Sequence, residues 1–197
     1  MRGGFPAWGF PVGKAGCRRA LDAGILVVLA AGIFFTWQRF APVVVADGWS
    51  YRVHDEGVAR VSALAPGEGG ADADLYYSEE RSDRQGRIVH RAADGSRHAA
   101  LTGLSKPDGL LAWRGGIVIS QEQGEFPVYW LHGGKTTPLF TGRNVEGLST
   151  DGYYLYAIED VKENGRLLRY DPANGDLAVL RSGLVEGEGI AVCPDGG

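Results

Sequence analysis

The chain is poor in the residues that most often mark catalytic or metal centres. Its 197 residues include two cysteines, four histidines and one methionine. Cys17 and Cys193 lack C-x-x-C or other ligand spacing and fall on opposite sides of the apolar run, so they read as two unpaired thiols. No H-E-x-x-H helix motif and no G-x-S-x-G elbow occurs. His90, His98 and His132 fall on or beside expected outer strands, and His54 falls in a linker. All four read as surface or edge positions. The glycine-rich pieces at 67–70 and 115–116 precede no helical pattern, so they are turns and not phosphate cradles. Basic charge is scarce after residue 40. Residues 1–40 carry Arg2, Lys14, Arg18, Arg19 and Arg39 against Asp22, a net of +4, which leaves −8 on the remainder of a chain whose total is −4. So acidic a remainder excludes a nucleic-acid surface, which needs clustered Lys and Arg.

Long apolar runs are also lacking, with one exception. Residues 20–37 (A-L-D-A-G-I-L-V-V-L-A-A-G-I-F-F-T-W) hold an uninterrupted core of 15 residues, 23–37. That is slightly short of the ~20 residues that cross a bilayer squarely. Asp22 sits at one interface and Trp37 suits the other. Lys14, Arg18 and Arg19 precede the run, so the N-terminus is expected in the cytoplasm and the remainder outside it. Two readings stay open, an uncleaved anchor and a cleaved signal peptide. The anchor is favoured because Val44-Val45-Ala46, the cleavage-like site, lies well past the apolar run with Arg39 between. Either way the remainder is exported, to the periplasmic or extracellular side.

What is abundant is glycine, 31 residues, about twice average usage. The glycines punctuate a repeat. Residues 165–183 align with 86–103: each has a Gly-Arg start, a short apolar strand, an Asp/Asn-Gly turn, a second strand and a closing glycine. A fainter copy runs over 126–142. The closing glycines Gly103, Gly142 and Gly183 are 39 and 41 residues apart. Short strands and tight turns at a period near 40 indicate propeller blades. The first blade is expected to place strands at 61–64, 75–78, 87–91 and 98–101, with an enlarged loop at 66–74. The second places them at 110–112, 117–120, 128–131 and 138–140, and the third at 148–149, 154–158, 167–170 and 177–180. Asp94-Gly95 and Asn174-Gly175 carry the type I′ hairpin pattern. The second strands (L-Y-Y, I-V-I, Y-Y-L-Y-A-I) are apolar at both parities, as expected of sheets covered on both faces. A fourth blade opens at 189–192, with Cys193 in its inner strand, and reaches the turn Pro194-Asp195-Gly196. Val43 to Ala46 and the alternating Trp49, Tyr51 and Val53 offer one further strand.

The expected fold is therefore all-β: a partial β-propeller of about three four-stranded blades plus the start of a fourth, behind one N-terminal transmembrane helix. The layout is a basic cytoplasmic tip (1–19), a signal anchor (20–38), a linker (39–57) and an incomplete propeller (58–197). Three blades and a strand do not close a ring, so an extended reading frame is expected to add two or three blades. Oligomeric closure and an open solenoid are the alternatives.

Blade geometry places the acids. The loops that lead into inner strands contain K-P-D-G, V-E-G and G-E-G, so Asp108, Glu146 and Glu188 each precede a glycine and converge on the axis. The loops after the second strands begin Glu79-Glu80, Gln121-Glu122 and Glu159-Asp160 and belong to the same face. Converging carboxylates repel unless a proton or cation neutralises them, and oxygen-only ligands suit Ca²⁺ or Mg²⁺. The competing reading is a cap written into each repeat, with every acid accepting local backbone N–H groups.

With R-L-L-R-Y-D-P-A-N-G on the outer strands and G-E-G-I-A-V-x-P-D-G after them, these motifs make residues 58–197 resemble the gluconolactonase/regucalcin (senescence marker protein) family. The strictosidine-synthase-like and NHL-repeat propellers are similar too. The resemblance implies a six-bladed calcium-type lactonase or esterase whose ion is held at the axis by residues of the loops before inner strands. It points to Asp108, Glu146 and Glu188 as metal positions, with Glu146 and Asp108 as catalytic carboxylates. A small ester or lactone is the implied substrate, and the membrane is a partner through the N-terminal helix. The rival is a non-catalytic scaffold that binds a protein or an envelope polymer through the same face. A calcium-dependent phytase-like phosphoesterase is a third reading.

Overall fold

In the computed structural model, residues 14–40, 43–68 and 74–193 are described. Arg2, the first part of the basic tip, most of the glycine-rich loop at 66–74 and the Pro194-Asp195-Gly196 turn lie outside them. The chain forms two units, dividing between His54 and Asp55.

The N-terminal unit contains helix α1 (Lys14–Phe40), 27 residues and therefore about 40 Å long. Its segment Asp22–Arg39 is apolar and long enough to cross a membrane, as an anchor or a signal sequence. Leu26, Val28, Ile33 and Phe35 are each about two-thirds exposed. Residues 43–54 form no strand. The β-prone Val43 to Ala46 and the alternating Trp49, Tyr51 and Val53 find no ladder partner, and Val44 and Trp49 are largely exposed.

Among its described residues the second unit has twelve strands in three antiparallel sheets, each ordered as a meander. The first blade is β1 (Val61–Pro66), β2 (Leu75–Glu79), β3 (Gly86–Arg91) and β4 (Arg97–Leu104). The second is β5 (Pro107–Trp113), β6 (Gly116–Gln121), β7 (Glu125–His132) and β8 (Lys135–Arg143). The third is β9 (Val145–Thr150), β10 (Leu155–Glu159), β11 (Gly165–Tyr170) and β12 (Leu177–Leu184). This is a partial propeller of three blades. Asp55, at the start of this unit, pairs with Arg97 on β4 at 2.9 Å. Residues 189–192 run beside β9, where the Val192 N–H donates to Ser149 Oγ at 3.2 Å. They form no strand, since no ladder partner lies beyond them among the described residues, and Cys193 is exposed in this segment.

Two apolar layers hold the blades together. Ile88, Leu104, Ile117, Ile119 and Leu131 fill the first interface. Val118, Val128, Val145, Leu155 and Leu168 fill the second, closed by Trp113 and Phe140. Each wholly buried Leu or Ile contributes about 1.5–3 kcal/mol. The middle blade shows why its second strand is apolar at both parities: from Ile117 to Gln121 every β6 residue is buried. In the third blade, which has a neighbour on one face, β10 alternates buried and half-buried residues.

The turns differ from expectation. At Asp94-Gly95 and Asn174-Gly175 the glycines alone have positive φ, +84° and +78°, so neither is a two-residue type I′ turn. Both are longer loops, 92–96 and 171–176, closed by a left-handed glycine. Two-residue turns lie instead at Arg114-Gly115 and Gly133-Gly134, where all four φ values are positive and Trp113 pairs with Gly116 and His132 with Lys135.

Candidate functional site

The face that carries the acids is organised by one residue per repeat in the left-handed region. Arg60, Lys106, Asn144 and Glu186 have φ of +51°, +46°, +44° and +47°, and each lies two residues before position 62, 108, 146 or 188. Asp108, Glu146 and Glu188 are therefore equivalent, and Ser62 occupies the same place in the first blade. Main-chain hydrogen bonds stitch the left-handed residues to the loops after the second strands. Glu80, Glu122 and Asp160 donate their N–H groups to the carbonyls of Arg60, Lys106 and Asn144. Lys106, Asn144 and Glu186 in turn donate to Arg81, Gly124 and Val161 of the preceding blade.

The glycines after Asp108 and Glu146 let the chain of the next repeat approach. A Cβ on Gly109 would lie 2.4 Å from the Glu146 carbonyl oxygen, and one on Gly147 would lie 2.6 Å from that of Glu188. Any side chain there would push the acids apart.

Three carboxylates result in one cluster. An oxygen from each of Asp108, Glu122 and Glu146 lies within 4.8 Å of the others, and all three residues are half-buried. Two ligand oxygens on one Ca²⁺, each about 2.4 Å from it, are at most about 4.8 Å apart, so the set fits a single hard cation. The donors are all oxygen, which fits the same class of ion. Two of the three positions singled out in the sequence, Asp108 and Glu146, come together here. Glu188 is exposed and bears on Glu146 through its charge alone. Glu122 completes the cluster instead.

Electrostatics tie the group together. Burial, then the charges of Asp108, Asp160, Glu122 and Glu188, push Glu146 up to about 7. Burial also raises Asp108, with Glu122 and Glu80 adding to the rise and the Ser62 hydroxyl opposing it. The charge facing the cluster is Lys106, whose ammonium holds Glu122 Oε2 and lies 3.6 Å from Glu80 Oε1.

The neighbouring acids Glu79 and Glu159 do structural work. Glu159, wholly buried, accepts two hydrogen bonds from Arg166 and one from the Arg143 N–H. Burial works against its charge, but these donors hold its carboxyl below the usual value. Glu79 takes Arg87 in the same bidentate way. In the second blade Glu125-Phe126 replaces the Gly-Arg start, and Gln121 replaces the acid, accepting the Ser105 N–H at 2.8 Å. The Gly-Arg starts of the repeat are thus the partners of Glu79 and Glu159, a signal present in the sequence.

The histidines lie elsewhere. At the opposite end of the blades a groove of about 760 Å³ between the first and second sheets is lined by residues that include Tyr76, His98, Trp113, Arg114 and His132. His90 is not a surface group: it stacks on Tyr76 and meets Asp74 Oδ1 at 3.0 Å.

No protein-family model matches the chain, and no curated protein matches its sequence. Solved structures do match its fold. An auxiliary nutrient binding protein from Bacteroides thetaiotaomicron aligns with 71 % of this chain and 35 % of its own, at 21 % identity and TM-score 0.58. A structure of a nidogen/laminin complex aligns with 67 % of this chain and 52 % of its own, at 16 % identity and TM-score 0.56. An auxiliary nutrient binding protein from Bacteroides ovatus aligns with 71 % and 34 %, at 15 % identity and TM-score 0.54. The chain spans about a third to a half of the length of these structures.

Proposed function

We propose that this protein is a divalent-cation-dependent hydrolase of small esters or lactones, similar to the gluconolactonase/regucalcin propellers, and that α1 anchors it with the propeller outside the cytoplasm. The observation that carries the reading is the convergence of Asp108, Glu122 and Glu146 within 4.8 Å at the inner ends of two blades. Three carboxylates forced together and partly desolvated are stabilised by a cation, and the raised value of Glu146 reports that unmet need.

Asp108 and Glu122 would hold the cation, probed here as Ca²⁺, together with Glu146. A bound divalent cation supplies Lewis-acid polarisation of the substrate carbonyl. With the cation held chiefly by Asp108 and Glu122, the Glu146 carboxylate would accept a proton from water as the water oxygen bonds to the acyl carbon. When the acyl C–O bond breaks, the same carboxyl returns the proton to the departing alkoxide. The half-buried setting keeps the cluster's charges interacting strongly.

The test is a thermal melt of the protein with calcium chloride and with chelator, paired with turnover of a panel of lactones and aryl esters. Calcium at a hundredfold excess over its dissociation constant should stabilise the fold by about 2.7 kcal/mol. Glu146→Gln should reduce both the shift and the turnover, whereas the exposed control Glu163→Gln should change neither. Absence of a calcium shift in the parent rejects the cation reading. A shift without turnover leaves a structural ion and favours the scaffold that binds a protein or envelope polymer.

A further inference from the structure

We propose that Lys106 is a built-in counter-ion that competes with the cation for Glu122, and that Glu80 is where its ammonium moves when the cation enters. The proposal rests on the cation reading of the acid cluster and adds to it a device that sets how tightly the cation is held.

Glu122 has two claims on it. Its carboxylate is one of the three that converge, and its Oε2 is held by the Lys106 ammonium. Three arginines near this face are committed elsewhere: Arg87 to Glu79, and Arg143 and Arg166 to Glu159. Lys106 is the cation in direct contact with the cluster, through Glu122. A divalent ion among the same oxygens lies within a few ångströms of that ammonium, and the two repel at a distance where salt screens little.

The second half of the device is already present. Glu80 Oε1 lies 3.6 Å from Lys106 Nζ, and Glu80 is not one of the converging three. A flexible four-carbon stem can exchange one carboxylate for the other without moving the backbone. That backbone is fixed independently of the side chain. The Lys106 N–H donates to Arg81, its carbonyl accepts from Glu122, and its φ is +46°. At the equivalent place in the next repeat the chain carries Asn144, φ +44°, a neutral residue that tolerates the left-handed region. Lys106→Asn thus removes the charge while keeping a residue suited to the turn.

The experiment is calorimetric titration of the full chain, in detergent, with calcium chloride. Four proteins are compared: parent, Lys106→Asn, Glu80→Gln and the double variant, with Lys106→Met as a second neutral form should Lys106→Asn fold poorly. Removing the ammonium should tighten calcium binding about tenfold, and Glu80→Gln should weaken it several-fold. In the double variant the effect of Glu80→Gln should shrink, because no lysine remains to be moved, and this coupling separates a landing place from a general charge effect. Unchanged or weaker binding in both neutral variants overturns the proposal and leaves the cation reading standing. Equal Glu80→Gln effects in both backgrounds overturn the role of Glu80. No calcium binding by any of the proteins, including those relieved of the competitor, overturns the cation reading itself.

Discussion

Glu146 is a carboxyl raised to about 7 from an unfolded value near 4.5, so the folded chain binds a proton that the unfolded chain releases. Its contribution to stability without added cation should therefore be fully present below about pH 4.5 and be lost as pH rises through 7, by about 1–2 kcal/mol after allowance for partial exposure. Glu146→Gln should flatten that slope and stabilise the cation-free protein at pH 8. Equal slopes in denaturant titrations of parent and variant at pH 5 and pH 8 would remove Glu146 from the explanation. Asp108 and Glu146 were legible in the sequence because each precedes the glycine of an inner strand, and the repeat shows that position several times. Glu122 was harder to see. It follows Gln121 as Glu80 follows Glu79 and Asp160 follows Glu159, and a list of consecutive acids does not say which points to the axis. The structure separates them by strand alternation: the first of each pair turns into the blade and meets arginine or a backbone N–H, and of the second residues Glu122 joins the cluster. Lys106 was not legible, since its role arises where loops of two blades meet.

At the level of strands, the twelve expected of the first three blades are present, whereas the one expected at 189–192 is not, and most extend beyond the apolar cores by which they were recognised. β8 is the clearest case. Its core at 138–140 grows to Lys135–Arg143, because ladder hydrogen bonds continue through Thr and Gly residues that carry no hydrophobic signal. The hairpin types were misread because a two-residue signal such as Asp-Gly does not fix loop length, whereas strand register does. Blade-to-blade contact depends on features that are local in sequence but act across sheets. Gly147 is one, since its missing Cβ leaves room for the Glu188 carbonyl and Ile158. Glu159 is another, because it receives the Arg143 N–H from the end of β8 in the blade before. Glu159→Ala should cost about 3–5 kcal/mol, as two arginines and a backbone donor lose a buried charged partner. The equivalent Gln121→Ala, which strands no charged partner, should cost about 1–3 kcal/mol. Chemical denaturation of the two variants would test the ranking, and a smaller loss at Glu159 would contradict its role in joining the two blades.

On the scale of the whole molecule, the two units carry opposite charge signs and opposite surfaces. The N-terminal unit is a basic, apolar helix whose described side chains are exposed, and the second is an acidic set of blades with its polar cluster at one end. These physical demands are met together if α1 lies in lipid and the blades in water. The positive flank at Lys14, Arg18 and Arg19 then sets the direction, since Lys and Arg are retained on the cytoplasmic side. On the proposed orientation, with the amino terminus inside, every residue after about Arg39 would be delivered outside, where calcium-rich conditions would let a weak carboxylate site fill. Alkaline phosphatase fused after Gly197 should be active in intact cells, and a fluorescent protein that matures only in the cytoplasm should stay dark at the same junction. Replacing Lys14, Arg18 and Arg19 together with glutamine should weaken that bias and shift part of the population to the reverse pattern. A dark phosphatase with a bright fluorescent fusion in the parent would place the propeller in the cytoplasm, where submicromolar free calcium would leave a site tempered by Lys106 unfilled. The fusion pair therefore tests both the direction of α1 and the setting in which the acid cluster has to work.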